Sequence, residues 1–190
     1  MFSESALLIV GDELLSGRTR DVNLYRFSGI LGDAGLPVQC ARVVRDDTLE
    51  IVSAVRELSC SGRIIIVSGG LGPTDDDLTL AAVASALGKP LFRSSEAEAM
   101  VRRNQERYGL GLPESALKQA DIPQGAIPVM NPVGIAPGVV IPLDRCAVIC
   151  MPGVPSESAA LLQPCLVVAG AVPRAPEPVH FIRTWGLKEN

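Results

Sequence analysis

The chain has 190 residues, of which 47% are hydrophobic and 20% charged, and this balance predicts one globular domain with a continuous core. The formal net charge of −4, together with the lack of any Lys and Arg cluster interleaved with aromatic residues, argues against nucleic acid as a partner. The first ten residues show no basic leader, and no apolar stretch reaches the roughly 20 residues of a membrane helix, so we expect a cytoplasmic protein without membrane partners.

Cysteine and histidine usage narrows the chemistry further. The five cysteines are odd in number and contain no C-x-x-C pair, so they are predicted to be reduced, buried and structural. A single histidine, His180, argues against a Ser-His-Asp triad or a histidine-rich zinc site. It is predicted to be an exposed strand residue. Carboxylates, amides and a metal ion remain as the groups that could carry out a reaction.

The first predicted strand is the apolar run from Ala6 to Val10, which leads into a polar glycine loop from Gly11 to Gly17. Asp12 and Glu13 lie in this loop. If the strand is parallel to its neighbours, both acids stand at the carboxyl edge of the sheet, where α/β folds bind ligands.

Helices and strands then alternate along the chain. A helix begins at Asp21 or Asn23, and either side chain is explained as a cap. The alternating stretch Val38–Val44 predicts a strand at the flank of a sheet, and Asp46-Asp47-Thr48 starts a helix through Leu58. This order predicts right-handed crossovers and a doubly wound, mostly parallel sheet.

The stretch from Ile64 to Thr79 is the centre of the predicted site. Ile64–Val67 reads as a buried strand, residues 68–74 form a loop with three glycines and a proline, and a helical pattern runs from about Thr74 to Leu87. A strand, a glycine loop and a helix present free backbone N–H groups at a sheet edge. Phosphate is the ligand that such an arrangement predicts.

Three consecutive acids, Asp75, Asp76 and Asp77, follow this glycine loop. One acid at a helix start is explained by capping, but three exceed what the free N–H groups can use. A bare phosphate would also be repelled by them, which suggests a bridging divalent cation. The pattern matches neither the dinucleotide fingerprint nor the P-loop.

The second half of the chain is rich in glycine and proline. A charged helix capped by Ser94 or Ser95 is predicted to end near Tyr108. Short strands are expected near Pro128-Val129 and Gly138–Ile141, joined by a rigid loop from Asn131 to Gly138.

The last strong strand pattern covers Cys146–Met151, and the loop Pro152–Pro155 and a helix from Ser156 to about Ala169 follow it. Residues 173–178 read as a linker and Val179–Trp185 as a terminal strand. We therefore predict a domain over residues 1–172 and a linker with a terminal strand over residues 173–190.

Together these loops resemble the N-terminal domain of the CinA family, the competence/damage-inducible proteins, within the molybdopterin-binding-like superfamily. The matching stretches cover nearly the whole chain and comprise Gly11-Asp12-Glu13-Leu14-Leu15-x-Gly17 with Asn23, Gly69-Gly70-Leu71-Gly72-Pro73-Thr74-x-Asp76-Asp77-x-Thr79, Lys118-Gln119-Ala120, Asn131-Pro132-x-Gly134-x-Ala136-Pro137-Gly138 and Pro152-Gly153-Val154-Pro155-x-Glu157. Two positions depart from the family pattern: Asp12 stands where Thr is frequent, and Ser158 where Met is common.

The resemblance implies a three-layer α/β/α fold and a nucleotide or pterin pyrophosphate as the ligand. It implies metal-dependent hydrolysis of an ADP-ribose-like substrate to AMP and a sugar phosphate, with Mg, Mn, Co or Ni as the divalent ion, and a dimer or trimer. The alternatives are a non-catalytic nucleotide or molybdopterin-binding module and an adenylyltransferase of molybdenum cofactor synthesis. CinA proteins usually continue into an amidase domain, and we do not expect that activity here.

Residue roles follow from the same resemblance. Asp77 and Asp76 are expected to be catalytic and to hold the metal. The residues expected to bind phosphate or nucleotide are Gly69, Gly70, Gly72, Thr74, Asp12, Glu13, Asn23, Lys118, Asn131, Gly134, Pro152 and Gly153.

Overall fold

A computed structural model of the chain describes residues 2–59, 63–171 and 185. The strands are β1 (Glu4–Val10), β2 (Val38–Val44), β3 (Arg63–Ser68), β4 (Leu91–Arg93), β5 (Asp121–Pro123), β6 (Ile127–Val129), β7 (Gly138–Pro142) and β8 (Ala147–Met151). The helices are α1 (Asp12–Leu15), α2 (Asn23–Asp33), α3 (Thr48–Leu58), α4 (Thr79–Ala86), α5 (Ser95–Arg107), α6 (Glu114–Leu117) and α7 (Pro155–Val168), with a 3₁₀ turn at Lys118–Ala120.

Six of the strands form one sheet in the order β2-β1-β3-β8-β7-β6. The first four strands are parallel, β7 pairs antiparallel with β8, and β6 at the edge pairs antiparallel with β7. The central strands β1, β3 and β8 are buried nearly throughout, because helices cover both faces of the sheet. The predicted doubly wound, mostly parallel sheet is confirmed.

Neighbouring residues of β1 serve two separate cores, as the period of a strand requires. Leu8 packs in the core that includes Ile51 of α3 and Val83 of α4. Leu7 packs on the opposite face, in the core that includes Phe27 of α2 and Leu161 of α7. Helices on both faces of one sheet make the three-layer α/β/α arrangement that the sequence predicts.

The start of α4 corrects a prediction. The helix begins at Thr79, not near Thr74, so the three acids do not lie in its first turn. The reason is local: the Asp77 carboxylate accepts hydrogen bonds from Thr74 N at 2.9 Å and from Thr74 Oγ1 at 2.6 Å, while Asp77 N donates to Thr74 O. These bonds close a turn that holds residues 74–77 outside the helix.

Two further elements were not predicted. The polar loop after β1 contains a one-turn helix, α1, with Asp12 and Glu13 in its first turn. The strands β4 and β5 form a separate two-stranded antiparallel ribbon. Both elements are short, and sequence periodicity says little about runs of three or four residues.

Other predictions are confirmed or lie outside the described residues. Asp47 and Ser94 cap α3 and α5 as predicted, and Cys165 is a buried thiol whose burial raises its pKa to about 12. The linker at residues 173–178, His180 and Cys60 lie outside the described residues, as does the terminal strand apart from Trp185. No helix in the described ranges is both long and apolar enough to cross a bilayer.

Candidate functional site

A cleft with two connected chambers lies at the carboxyl ends of the central parallel strands. The acidic chamber has a volume of about 510 Å³. The apolar chamber has a volume of about 420 Å³. Both are lined by Glu13, Gly70, Asp77 and Gly153, so they are two parts of one cleft. This is the edge at which doubly wound sheets place their ligands.

Carboxylates dominate the acidic chamber. Five of them line it, namely Asp12 and Glu13 of α1, Asp46 after β2, and Asp76 and Asp77 after β3. They come from three separate loops, because parallel strands end at the same edge of the sheet. Among the described lining residues, Arg18 carries the sole positive charge. The structure therefore brings together the four acids that the sequence indicated and adds one that it did not.

The added acid is Asp46. Its Oδ2 atom accepts a hydrogen bond of 2.9 Å from Asp12 N, which joins the ends of β1 and β2. Burial raises the pKa of Asp46, the carboxylates of Glu13, Asp12 and Asp77 raise it further, and the bond from Asp12 N opposes them. The sequence carried a usable signal, since Asp46 follows a parallel strand just as Asp12 does.

Asp77 is held in a defined orientation by its own turn. Both of its bonds from Thr74 end on Oδ2, and the Oδ1 atom has no hydrogen-bond partner among the described residues. A Cβ atom on Gly72 would lie 2.5 Å from Asp77 Oδ2, so only glycine lets the carboxylate occupy this place. Asp76 lines the same chamber and is exposed.

The three predicted phosphate-binding glycines differ in what their amides can do. Within the described part of the chain, the N–H groups of Gly70 and Gly72 have no hydrogen-bond partner. Gly70 has a φ of +64°, and a Cβ atom there would collide with Thr79 Oγ1. Gly69 lines the acidic chamber, but its N–H group already donates to Met151 O at 3.1 Å.

Asn23 lies in a buried hydrogen-bond network. It is 4% exposed, and its amide nitrogen donates to Ser68 Oγ at 3.0 Å and to Gly153 O at 2.8 Å. Its Oδ1 atom accepts from Ser158 Oγ at 3.3 Å, so the unusual serine at position 158 completes this buried network. Asn23 thereby ties the start of α2 to the loop after β8, and its predicted contact with a ligand stays a prediction.

Asn131 and Gly134 are likewise committed within the protein. Asn131 is fully buried; its Oδ1 atom accepts from the N–H groups of Val133 and Gly134, and its Nδ2 atom donates to Ala136 O and Glu157 Oε2. Gly134 faces Glu157, and a Cβ atom there would collide with the carboxylate. The side chain of Asn131 and the N–H group of Gly134 are thus engaged within the loop, and direct contact of these two residues with phosphate or nucleotide stays a prediction.

Lys118 and Thr74 bond to each other at the back of the glycine loop. Lys118 Nζ donates to Thr74 O, and Lys118 lines an adjoining cavity of about 110 Å³ that shares Gly72 and Asp77 with the apolar chamber. The hydroxyl of Thr74 donates to Asp77. In this structure both residues stabilise the loop, and neither lines the two chambers of the cleft.

The walls of the apolar chamber are mainly hydrophobic. They include Leu71, Ile135, Ala136, Pro152 and Val154. Besides Glu13 and Asp77, which line both chambers, the polar side chains of Gln119 and Glu157 also line it. Gln119 is 6% exposed, and its Oε1 atom lacks a hydrogen-bond partner in the part of the chain that the structure describes.

The acidic chamber suits a divalent cation that arrives with a phosphate ligand. Among the described residues, no three acidic, cysteine or histidine side chains converge into a preformed metal centre. Mg²⁺ does not require one, since it is commonly bound by one or two carboxylates together with substrate phosphates. The raised pKa of Asp46, caused by burial and then by its acidic neighbours, marks negative charge that a cation would neutralise.

Comparisons with known proteins identify the family of the chain. Residues 6–170 match the family described as "Probable molybdopterin binding domain". A CinA-like protein of Geobacter metallireducens is 40% identical over 164 residues, which cover 86% of this chain and 40% of the relative. Another from Anaeromyxobacter dehalogenans is 38% identical over 157 residues, covering 83% of this chain and 38% of the relative.

Solved structures show the same likeness. The crystal structure of CinA from Thermoplasma acidophilum is 37% identical, with a TM-score of 0.79, and the match covers 88% of this chain and 98% of that one. The tungsten cofactor synthesising protein MoaB of Pyrococcus furiosus is 17% identical, with a TM-score of 0.56 and coverage of 90% and 97%, and it shares the fold. The chain spans about 40% of the length of the two CinA-like relatives above.

Proposed function

The chain belongs to the molybdopterin-binding domain family, as a CinA-like member, and from this membership and the chemistry of its cleft we propose that it is a nucleotide pyrophosphatase. The substrate is ADP-ribose or a similar nucleotide, the cofactor is a divalent cation, and the products are AMP and a sugar phosphate.

One observation carries this proposal. The unpartnered N–H groups of Gly70 and Gly72 belong to a cleft whose walls also present five carboxylates. Amide donors suit phosphate oxygens, whereas carboxylates repel them, and the two kinds of group are compatible when a cation lies between them. A pyrophosphate with its metal ion satisfies both.

The acidic side chains of the cleft have different roles in the proposed hydrolysis. Asp76 and Asp77 would hold the cation, and Asp12, Glu13 and Asp46 line the same chamber. A divalent cation supplies a Lewis acid for a phosphoryl oxygen and lowers the pKa of bound water. The Thr74 turn fixes Asp77 so that its free Oδ1 atom need not reorient.

The reaction is a displacement at phosphorus. The oxygen of water forms a bond to one phosphorus atom, the bond from that atom to the bridging oxygen breaks, and the bridging oxygen leaves with the electron pair on the second product. The protons of water go to carboxylates and solvent, and no atom is oxidised or reduced. The amides of Gly70 and Gly72 stabilise charge on the phosphoryl oxygens, and one such donor contributes about 2.7–4 kcal/mol to barrier lowering in other enzymes.

The test is AMP release from ADP-ribose and FAD by the purified chain, with and without Mg²⁺, Mn²⁺, Co²⁺ or Ni²⁺. We expect metal-dependent release that falls about 100-fold or more in Asp77→Asn, since a metal ligand acts through several kcal/mol of charge stabilisation. Asp75→Asn is the matched control. It removes the same charge two residues before Asp77, but the Asp75 side chain lines neither chamber.

Two other outcomes of the assay would support the alternative functions. Saturable AMP binding without release under any metal condition would overturn the hydrolase and favour a binding module. Adenylyl transfer from ATP to a pterin, without hydrolysis of ADP-ribose, would make the chain an adenylyltransferase.

A further inference from the structure

The apolar chamber has the properties of a site for a flat heterocycle. Its volume of about 420 Å³ falls within the roughly 300–1,000 Å³ that is usual for small-molecule sites. Leu71, Ile135 and Val154 supply hydrophobic surface, and the wall shared with the acidic chamber includes Gly70 and Gly153. A nucleotide whose phosphates lie in the acidic chamber can therefore extend its base into the apolar one.

Three of the described acidic residues line the apolar chamber. Glu13 and Asp77 also line the acidic chamber, whereas Glu157 does not. Its Oε2 atom accepts a hydrogen bond of 2.7 Å from Asn131 Nδ2. Its Oε1 atom has no partner among the residues that the structure describes. One oxygen is thus anchored and the other is an available acceptor.

The anchor of Glu157 is rigid. Asn131 is fully buried and makes three other hydrogen bonds, two to backbone N–H groups and one to Ala136 O. The backbone of the same loop is tied to α5, since Asn104 Nδ2 donates to Asn131 O at 3.1 Å. Gly134 leaves room for the carboxylate, because any Cβ atom there would occupy its place.

A simpler explanation is that Glu157 stabilises the start of α7, where an acid in the first turn is favourable. That explanation needs neither a buried amide nor a glycine gap beside the carboxylate, and an exposed acid in a first turn, such as Glu96 of α5, has neither. The additional arrangement around Glu157 therefore points to a role in the chamber.

A carboxylate only accepts hydrogen bonds, so it favours a ligand that presents an N–H donor. Adenine and pterin carry exocyclic amino groups, whereas hypoxanthine and lumazine carry a carbonyl oxygen at the corresponding position. A buried polar group left unpaired by the wrong partner is the usual origin of such discrimination.

We propose that Glu157, positioned by Asn131, selects heterocycles with an exocyclic amino group in the apolar chamber, adenine first among them. This inference rests on the proposed nucleotide substrate. It adds that the chain recognises the exocyclic amino group of the base. Glu157 is a specificity-determining residue, and Asn131 is a positioning residue.

The experiment measures the dissociation constants of AMP and IMP for the full chain by calorimetry in the presence of Mg²⁺. We expect the wild type to bind AMP about tenfold or more tightly than IMP. Glu157→Gln should reverse the preference, because Asn131 can still donate to the new side-chain oxygen while the new amide presents a donor to the oxygen of hypoxanthine. Glu96→Gln is the matched control and should keep the wild-type ratio.

The outcome is independent of turnover, so it is distinguishable from failure of the hydrolase proposal. Equal affinity of the wild type for AMP and IMP, or an unchanged ratio in Glu157→Gln, would overturn the assignment for adenine. A parallel competition with 6-hydroxymethylpterin and 6-hydroxymethyllumazine separates the two sources of the amino group. A preference for the pterin that Glu157→Gln removes supports the role of Glu157 with a pterin ligand, and no preference in either pair rejects it.

Discussion

Two loops of this protein have similar compositions and opposite uses of their polar groups. The glycine loop, residues 69–78, and the asparagine loop, residues 131–138, are both rich in glycine and proline and were both predicted to bind phosphate. In the glycine loop the N–H groups of Gly70 and Gly72 remain free of partners within the described residues. In the asparagine loop the side chain of Asn131 bonds the N–H groups of Val133 and Gly134.

The difference shows that glycine and proline predict a loop of defined shape but do not predict whether that loop binds a ligand. A loop binds an anion only if its donors are left over after its own shape has been stabilised. The hydrogen bonds between Thr74 and Asp77 close the glycine loop without using the N–H groups of Gly70 and Gly72. Asn131 closes the asparagine loop from within and also donates a hydrogen bond to the Glu157 carboxylate.

The largest expected effect is on the asparagine loop. Asn131→Ala leaves two N–H groups, the oxygen of Ala136 and the carboxylate of Glu157 without their partner, so we expect it to lower the free energy of unfolding by about 3 kcal/mol. Urea denaturation measures this. Gln124→Ala is the control, because that exposed side chain makes no hydrogen bond within the described residues and should change stability by less than about 0.5 kcal/mol. Equal effects of the two substitutions would contradict the contrast.

The next effect concerns the backbone of the glycine loop. Gly70 and Gly88 share a φ of +64°, but an added Cβ meets Thr79 Oγ1 at the first position and no atom within 4 Å at the second. Gly88→Ala should cost about 1 kcal/mol for the left-handed backbone, and Gly70→Ala about 2 kcal/mol because the collision is added. Thermal denaturation compares them. Only Gly70→Ala should also weaken AMP binding, and a loss in both variants would argue against a phosphate role for that amide.

A smaller effect is expected from Gly72→Ala, which tests the orientation of Asp77 without changing its charge. The new methyl group would lie 2.5 Å from Asp77 Oδ2 and would push the carboxylate aside. We expect a loss of about 1 kcal/mol in stability, because the shift disturbs the hydrogen bonds from Thr74 to Asp77. AMP release should fall about tenfold, since a small displacement of a catalytic group is costly. Steady-state kinetics at saturating metal measure the change. Unaltered turnover would show that the position of Asp77 is not critical.

The smallest effect has the opposite sign. Burial, and then the acids around it, raise the pKa of Asp46, so the folded state binds its proton more tightly than the unfolded state does. The stability linked to this group is present at low pH and is lost as pH rises through the folded-state pKa. Asp46→Asn should therefore stabilise the metal-free protein at pH 7 by about 0.5 kcal/mol, a value discounted for the partial exposure of the carboxyl.

Melting temperatures at several pH values test the Asp46 prediction. The gain should shrink as pH falls toward the unfolded-state pKa of about 3.9. Added Mg²⁺ should raise the melting temperature of the wild type more than that of Asp46→Asn, because the cation relieves the repulsion between Asp46 and the neighbouring carboxylates. A variant less stable than the wild type at pH 7 would show that the hydrogen bond from Asp12 N outweighs the repulsion.

Much of the fold could be predicted from local patterns. Uninterrupted apolar runs marked β1, β3 and β8, and caps such as Asp47 and Ser94 marked the starts of helices. The beginning of α4 could not be predicted, because it depends on a hydrogen bond between Thr74 and Asp77 that competes with helix formation.

The sequence by itself determined the class of the fold and the edge of the sheet at which the candidate site lies, because these follow from periodicity and from the order of strands and helices. Its loop motifs carried the resemblance to the family. Tertiary structure alone decided which polar groups face the cleft. Asp46 joined the acidic chamber through the pairing of β1 with β2, while Asn23 and Asn131 were withdrawn into buried networks. The physical reason is that a polar atom has few hydrogen bonds to give, and whether any remain for a ligand depends on neighbours far away in the chain.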